Sequence, residues 1–203
     1  MGAVQPKNNL YLAVSKGKMV NKKKGLSYGG YTGYILGIDI VDDEYEGKPV
    51  KKVDVKMKDD KTDEIVIIQF TLNAWYSIGF FSRIFKVDVK KPFTIGVTGS
   101  DDNEKVSFCY MKQDGLSYVN KDGKKVEAVE GHKTFAKPEE VDLGGGQKTK
   151  NWAKPIAMME KVLGEMKSKI EKDGMRLAPP PAVTTGPESA PVTTAPVEDD
   201  LPF

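Results

Sequence analysis

Hydrophobic and polar residues alternate along much of the first 130 residues, which is the pattern of half-buried β-strands. In 34–41 the alternation places Leu36, Ile38 and Ile40 on one face and Ile35 on the other. A hairpin that turns on Asp122–Gly123 is predicted near the end of this region. The other predicted strands cover 10–14, 34–41, 50–58, 64–72, 93–99 and 105–112, and the lysine-, glycine- and tyrosine-rich segment 15–33 is predicted to be a loop.

Two segments have a helical period instead. Residues 73–85 are very apolar at helical spacing, with Asn73 as the predicted N-cap. Residues 155–173 predict an amphipathic helix, with Pro155 suited to its first turn and Gly174 to its end. We expect its apolar stripe to pack on the strands, and a dimer contact is the alternative. The stripe consists of Ile156, Met159, Val162, Leu163, Met166 and Ile170.

The order of these elements predicts the fold class, which is mainly β. Three strands are followed by one helix and then by two or more strands. That order is typical of the OB-fold, a five-stranded Greek-key barrel, with one helix between strands 3 and 4. We therefore expect an OB-fold, extended by a C-terminal amphipathic helix and a disordered tail.

Cysteine and histidine are too scarce for several kinds of site. The 203 residues include one cysteine and one histidine, which excludes an intrachain disulfide and a Cys/His zinc site. No apolar run approaches the roughly 18 residues of a membrane span, and residues 1–10 lack the apolar stretch of a signal peptide. These features favour a cytoplasmic protein, bacterial or of a phage in its host.

The charge is distributed unevenly. Residues 178–203 carry −4 and the whole chain +2, which leaves +6 on residues 1–177. Residues 1–24 contain six lysines and no acidic residue. This asymmetry indicates a polyanionic partner, although a solvated lysine-rich surface is the simpler alternative.

Aromatic residues interleaved with lysines indicate the kind of polyanion. Proteins that bind single strands use cationic grooves for phosphates and flat side chains on which bases stack. Tyr34 is the tyrosine of the first loop that we expect most readily in the core, and Trp152 is expected to anchor the second helix more readily than to stack on a base. Phe108 and Tyr110 share a strand face, and the pattern leaves open whether either lines a groove. The predicted nucleic-acid-binding residues are Lys16, Lys18, Lys22, Lys23, Lys24, Tyr28, Tyr31, Tyr34, Lys51, Lys52, Lys56 and Lys58.

Catalytic patterns are absent from the sequence. His132 has no serine or cysteine motif near it, and no GxxxxGK[ST] motif occurs. Acidic pairs such as Asp59–Asp60 fall at predicted turns, where unliganded carboxylates are common. We therefore expect neither an enzyme nor a cofactor or metal, and a Mg²⁺-dependent nuclease is the minor alternative.

The chain ends in EDDLPF at 198–203, after a Pro/Thr/Ala-rich segment that cannot bury enough surface to fold. This end resembles the acidic tip of bacterial and phage single-stranded DNA-binding proteins, in which an OB-fold and a disordered linker precede the tip. The resemblance implies that the tip docks on replication and repair proteins, with the terminal phenylalanine in an apolar pocket. By that resemblance the partner-binding residues are Asp199, Asp200, Leu201, Pro202 and Phe203.

The sequence therefore predicts a divergent, sequence-independent single-stranded DNA-binding protein that acts in replication, recombination or repair. The alternatives are an OB-like adaptor that binds only proteins and an RNA-binding OB protein. A homo-oligomer is possible, and no membrane partner is expected. The predicted parts are an OB-fold nucleic-acid-binding domain at 1–131, a flexible joint at 132–154, the helix at 155–173, a disordered linker at 174–197 and the partner-binding tip at 198–203.

Overall fold

The computed structural model describes residues 9–62, 64–100, 103 and 106–174. The protein is mainly β, with one large sheet, two small hairpins and two helices among these residues. The predicted tip, and the linker beyond residue 174, lie outside the described residues. The elements are β1 (Leu10–Ser15), β2 (Lys18–Asn21), β3 (Leu26–Tyr28), β4 (Gly30–Tyr45), β5 (Lys48–Asp59), β6 (Ile65–Thr71), α1 (Trp75–Ile84), β7 (Phe93–Gly99), β8 (Ser107–Lys112), β9 (Tyr118–Val119), β10 (Lys125–Val126), β11 (Glu139–Gly144), β12 (Gln147–Asn151) and α2 (Ala153–Asp173).

The large sheet has eight strands in the order β3-β2-β1-β6-β5-β4-β7-β8, rather than the five predicted. All neighbours are antiparallel except β1 and β6, which pair in parallel. Of the three additional strands, β1 matches the strand predicted at 10–14, and β2 and β3 come from 15–33, which was wrongly predicted to be a loop. There Met19 is fully buried and forms a cross-strand pair with Tyr28, so a short apolar alternation is hidden among the lysines and glycines. Helix α1 follows β6 and precedes β7, as the sequence predicts.

The sheet curls, and its first hairpin reaches back to the far end of β7 and β8. The Gly17 amide donates a hydrogen bond to Ser107 Oγ at 2.9 Å. A Cβ atom on Gly17 would lie 2.6 Å from the Gly99 backbone nitrogen, and Gly17 has a φ of +70°. Only glycine permits both this close approach and this backbone conformation. The β1–β2 turn is thereby held against β7 and β8.

A β-bulge changes the predicted faces of β4. Ile35 pairs with Met57 and Gly37 with Lys56, so Leu36 is an extra residue with no partner on β5. Ile35 and Ile38 consequently both point into the core, with exposed fractions of 0% and 1%. The prediction that Leu36 shares a face with Ile38 while Ile35 lies on the other face was therefore wrong, because simple alternation cannot reveal an inserted residue.

Both helices pack against the inner side of the sheet. Helix α1 begins after Ala74 rather than Asn73, and its Gly79 lies against Cys109 of β8. Helix α2 packs on β4 and α1, and Lys169 Nζ donates to the Val87 carbonyl at 2.7 Å. The buried residues of α2 match the predicted stripe, except that Pro155 is buried and Ile156 only partly so.

The predicted flexible joint at 132–154 contains a regular hairpin, formed by β11 and β12. Its turn uses Gly144, Gly145 and Gly146, all of which have positive φ angles. Every residue of the two strands is exposed, so the hairpin projects from the protein surface. Because neither strand has a buried face, the alternation typical of half-buried strands did not predict the hairpin. The small hairpin of β9 and β10, which turns at Gly123, was predicted correctly.

Candidate nucleic-acid interface

Tyr110 lies over the backbone of Gly96 on the outer face of the sheet. The two residues are cross-strand partners on β7 and β8. A Cβ atom on Gly96 would come closer than 3.0 Å to ring atoms Cζ, Cε1 and Cε2 of Tyr110, a separation that real Cβ atoms essentially never show. The Tyr110 hydroxyl also donates to the Gly29 carbonyl at 3.4 Å. The absence of a side chain at Gly96 therefore provides a seat for an aromatic ring.

Phe108 and Lys112 extend this feature along β8. They lie two residues on either side of Tyr110, so all three side chains leave the same face of the strand. Phe108 is 42% exposed, although it is apolar. Lys112 Nζ lies over the Tyr110 ring, 5.7 Å from its centroid. Two aromatic rings and a cation thus form a row on the protein surface.

The same outer face continues onto β4 and β5. Tyr34 pairs with Lys58, and the next pair along is the buried Ile35 and Met57, so Tyr34 and Lys58 point outward. Lys56 follows on the same face of β5. We call this surface the aromatic face, and it consists of Tyr34, Lys56, Lys58, Phe108, Tyr110 and Lys112.

Tyr28 and Tyr31, which were also predicted to stack on bases, both pack against the core. The Tyr31 hydroxyl donates to Asp59 Oδ2 at 3.0 Å. Burial, followed by this hydrogen bond and the nearby carboxylates, raises the pKa of Tyr31 well above its usual value. Tyr34 was expected to be the most buried of the three, and that prediction was wrong because Tyr34 lies on the outer side of the strand.

Asp59 also shapes the β5–β6 turn. Its Oδ1 accepts hydrogen bonds from the amides of Lys61 at 2.9 Å and Thr62 at 2.8 Å. Burial alone would raise the pKa of Asp59, but the Lys61 amide, the Tyr31 hydroxyl and Thr62 together lower it. Asp59 was predicted to be a turn carboxylate, and its hydrogen bonds stabilise the turn and hold the Tyr31 hydroxyl.

The predicted lysine run lies beside β1. Lys22, Lys23 and Lys24 form the β2–β3 turn and line a groove of about 660 Å³ together with Tyr11, which is 54% exposed. Asn21 fixes the turn, because its side chain donates to the Tyr11 carbonyl at 3.0 Å and accepts from the Lys24 amide at 2.8 Å. No carboxylate lines this groove within the described part of the chain.

Lys16 and Lys18 flank Gly17 in the β1–β2 turn. Since Gly17 contacts Gly99 and Ser107, the turn places both lysines at the end of β8 that carries Phe108. The predicted lysines of the first segment therefore fall at two places. One group adjoins the aromatic face, and the other lines the groove beside Tyr11.

The four lysines predicted on β5 do not act as one group. Lys56 and Lys58 belong to the aromatic face. Lys52 shares that side of the strand but forms an ion pair with Asp43 and donates to Gln69 Oε1 at 3.2 Å. Lys51 lies on the opposite side of the strand by alternation. The structure thus brings only part of this predicted set toward the candidate interface.

The sequence did not assign Tyr11, Phe108, Tyr110 or Lys112 to the interface. The sequence could have indicated three of them, because a spacing of two residues on a strand predicts a shared face for Phe108, Tyr110 and Lys112. The seat of Tyr110 depends on the pairing of β7 with β8, and that register is not encoded in either strand alone.

The side chains of His132 and Cys109 lie outside the candidate interface. His132 Nδ1 shares a hydrogen bond of 2.9 Å with Thr134 Oγ1, and its ring contacts Phe85. Burial raises the pKa of the Cys109 thiol to about 12. Within the described ranges there is no group of three or more His, Cys, Asp or Glu that could hold a metal ion. Neither of the described helices is long and apolar enough to cross a membrane.

Comparisons of the chain with models of protein families, with curated proteins and with solved structures return no match.

Proposed function

We propose that this protein binds single-stranded DNA without sequence preference. The observation that supports this most directly is the seating of Tyr110 on Gly96, with Phe108 exposed beside it and Lys112 over the ring. An exposed phenylalanine and a half-buried tyrosine on the outer side of a sheet contribute less to the core than inward residues would. They are suited to receive flat, apolar ligands.

Nucleobases are such ligands, and unpaired ones expose both ring faces. Stacking of a base on an aromatic side chain contributes about 1–3 kcal/mol and is tolerant of sequence. In a duplex the bases are stacked on each other, so a surface of this kind selects single strands. The lysines of the aromatic face and of the β1–β2 and β2–β3 turns would contact the phosphates, which are spaced regularly along the strand.

The fold supports the same proposal. We interpret the eight-stranded sheet as an OB-like barrel enlarged at its N-terminus. Within 30–112, β4, β5 and β6 form an antiparallel meander, α1 follows, and β7 and β8 complete the sheet. This is the order predicted for an OB-fold, and β1 to β3 are then an addition on the β6 side. Oligonucleotide-binding surfaces of OB-folds lie on the strands and on their connecting loops.

The second part of the proposal concerns the acidic tip at 198–203 and is based on its sequence alone. Its resemblance to the tips of single-stranded DNA-binding proteins suggests that it recruits replication and repair proteins. Asp199 and Asp200 would provide electrostatic attraction and Phe203 an apolar anchor. The protein would then cover exposed strands and bring partners to them.

The test is fluorescence-anisotropy binding of a labelled oligo-dT and of a duplex of equal length, at two salt concentrations. We expect a strong preference for the single strand, with an affinity that falls steeply as salt rises because counterions are released on binding. Tyr110→Ala and Phe108→Ala should each weaken binding, and Val119→Ala is the control, since Val119 is an apolar residue, 66% exposed, on the separate β9–β10 hairpin.

Three results would count against the proposal. Equal affinity for single and double strands would refute single-strand selectivity, and negligible binding to both would favour the protein-binding adaptor. A clear preference for oligo-U over oligo-dT would make RNA the ligand, because only RNA offers 2′-hydroxyl contacts.

A further inference from the structure

Both tryptophans of the chain lie in one cleft, away from the aromatic face. The cleft has a volume of about 610 Å³ and lies between the β1–β2 turn, the start of α1 and the end of β12. The rings of Trp75 and Trp152 meet edge to face, with their centroids 6.2 Å apart and an interplanar angle of 68°. Both indoles pack in part against the core, which fixes their positions.

The cleft is cationic. Lys16 lines one side of it and Lys150 the other, and no carboxylate is among its described lining residues. Lys150 Nζ lies over the Trp75 ring, 5.1 Å from its centroid. The neighbouring Lys148 and Lys154 are ion-paired with Glu140 and Glu139, whereas Lys150 has no ion pair with any described residue. Of these three lysines, Lys150, which lies next to the indoles, is therefore the one available to contact a phosphate.

The cleft adjoins one end of the aromatic face but lies on the other side of β8. Ser107 lines the cleft, and Phe108, the next residue, points to the opposite side of the strand, on the aromatic face. The two surfaces meet at the Gly17 turn, where the Gly17 amide binds Ser107 Oγ. Lys16 adjoins both. A DNA strand that leaves Phe108 at this end would therefore pass around the Gly17 turn to reach the cleft.

We propose that the cleft is a subsite for one unpaired nucleobase of the bound strand. The base stacks on Trp75, and its flanking phosphates lie between Lys16 and Lys150. Lys150 moves from the indole to a phosphate, which its flexible stem permits. The subsite extends the aromatic face around the Gly17 turn, and it rests on the proposed single-strand binding.

Because Trp75 and Trp152 are the only tryptophans, tryptophan emission reports on this cleft alone. The full chain is titrated with unlabelled oligo-dT while tryptophan emission is recorded, and the same oligonucleotide carries a label for anisotropy. We expect emission to be quenched over the same concentration range as the anisotropy change. We also expect bound DNA to protect the indoles from acrylamide.

Lys150→Gln tests the phosphate contact, and Lys148→Gln is the matched control on the same strand. Loss of one phosphate contact should lower the slope of log K against log salt by about 0.7 in Lys150→Gln. Lys148→Gln should leave the slope unchanged, since Lys148 is already paired with Glu140.

The outcomes separate this inference from the proposed function. Tight binding by anisotropy with unchanged tryptophan emission and acrylamide accessibility would overturn the subsite and leave single-strand binding intact. No anisotropy change with oligo-dT would overturn the proposed function itself. If deletion of 198–203 alters the emission of the free protein and DNA then adds nothing, the cleft holds the chain's own tip and the base subsite is refuted.

Discussion

Replacing Gly96 by alanine is the most specific way to disturb the candidate interface, because it leaves every aromatic and charged side chain in place. The new Cβ would come closer than 3.0 Å to three ring atoms of Tyr110. A side chain can yield where a backbone cannot, so we expect the Tyr110 ring to rotate off its seat and the fold to persist. The substitution therefore separates the position of the ring from its presence.

The expected magnitude follows from the loss of one stacked base. Stacking contributes about 1–3 kcal/mol, so Gly96→Ala and Tyr110→Ala should each weaken oligo-dT binding by about 5- to 160-fold. In the Tyr110→Ala background, Gly96→Ala should cost no further affinity because no ring remains to displace. There it should raise the free energy of unfolding by about 0.5–1 kcal/mol, since alanine loses less conformational entropy than glycine in a strand.

The assay is a double-mutant cycle with anisotropy for affinity and urea unfolding for stability. Val119→Ala, at an exposed apolar residue of the β9–β10 hairpin, sets the size of an unspecific effect. Additive losses of affinity for Gly96→Ala and Tyr110→Ala would refute the reasoning, because they would show that the alanine acts through the backbone. An affinity of Tyr110→Ala equal to that of the control would refute the role of the ring.

Three other predictions concern charge, pH and the curl of the sheet. Changing all three lysines at 22–24 to glutamine should lower the slope of log K against log salt by about 2 for single-stranded DNA. The control is a double variant in which the ion-paired Lys154 and Lys167 are changed to glutamine, and it should leave the slope unaltered. Tyr31 has a raised pKa in the folded protein, so its contribution to stability is complete below the ordinary tyrosine pKa of 10.0 and is lost as pH rises above it. Urea unfolding of Tyr31→Phe should lack this part of the alkaline loss, and an identical pH profile would refute the contact. Gly17→Ala should lower the melting temperature, because its Cβ meets the Gly99 backbone at 2.6 Å and its φ is +70°; an unchanged melting temperature would show that the turn is not held there.

Much of the fold could be predicted from local pattern. In 50–58 the alternation predicts a strand with Val53, Val55 and Met57 on its inner face, and all three are buried. The helical spacing correctly identifies α1 and α2. Each of these signals is contained in one element, because strand and helix periods repeat within a few residues. The bulge at Leu36 and the strands at 18–28 escaped prediction, since pairing with distant strands stabilises them and their own composition does not.

The candidate site was predicted less well for a related reason. Lysines and tyrosines can be counted along the chain, but the side of the sheet on which each lies depends on register. Tyr31 and Tyr34 are three residues apart and have opposite roles, one bonded to Asp59 near the core and one on the aromatic face. Tyr110 could not be recognised as a seated ring before its pairing with Gly96 was known.

The distribution of ion pairs provides the last argument for where a polyanion would bind. Surface ion pairs contribute only about 0–1 kcal/mol to stability, so pairing of a lysine matters little to the fold. It matters to DNA binding, because a lysine already neutralised by a carboxylate gains less from a phosphate. Among the described residues, the lysines with ion pairs include Lys52, Lys90, Lys154 and Lys167. Of the lysines that adjoin the aromatic face, the β2–β3 groove and the tryptophan cleft, those that form no ion pair with a described residue include Lys16, Lys18, Lys22, Lys23, Lys24, Lys56 and Lys150.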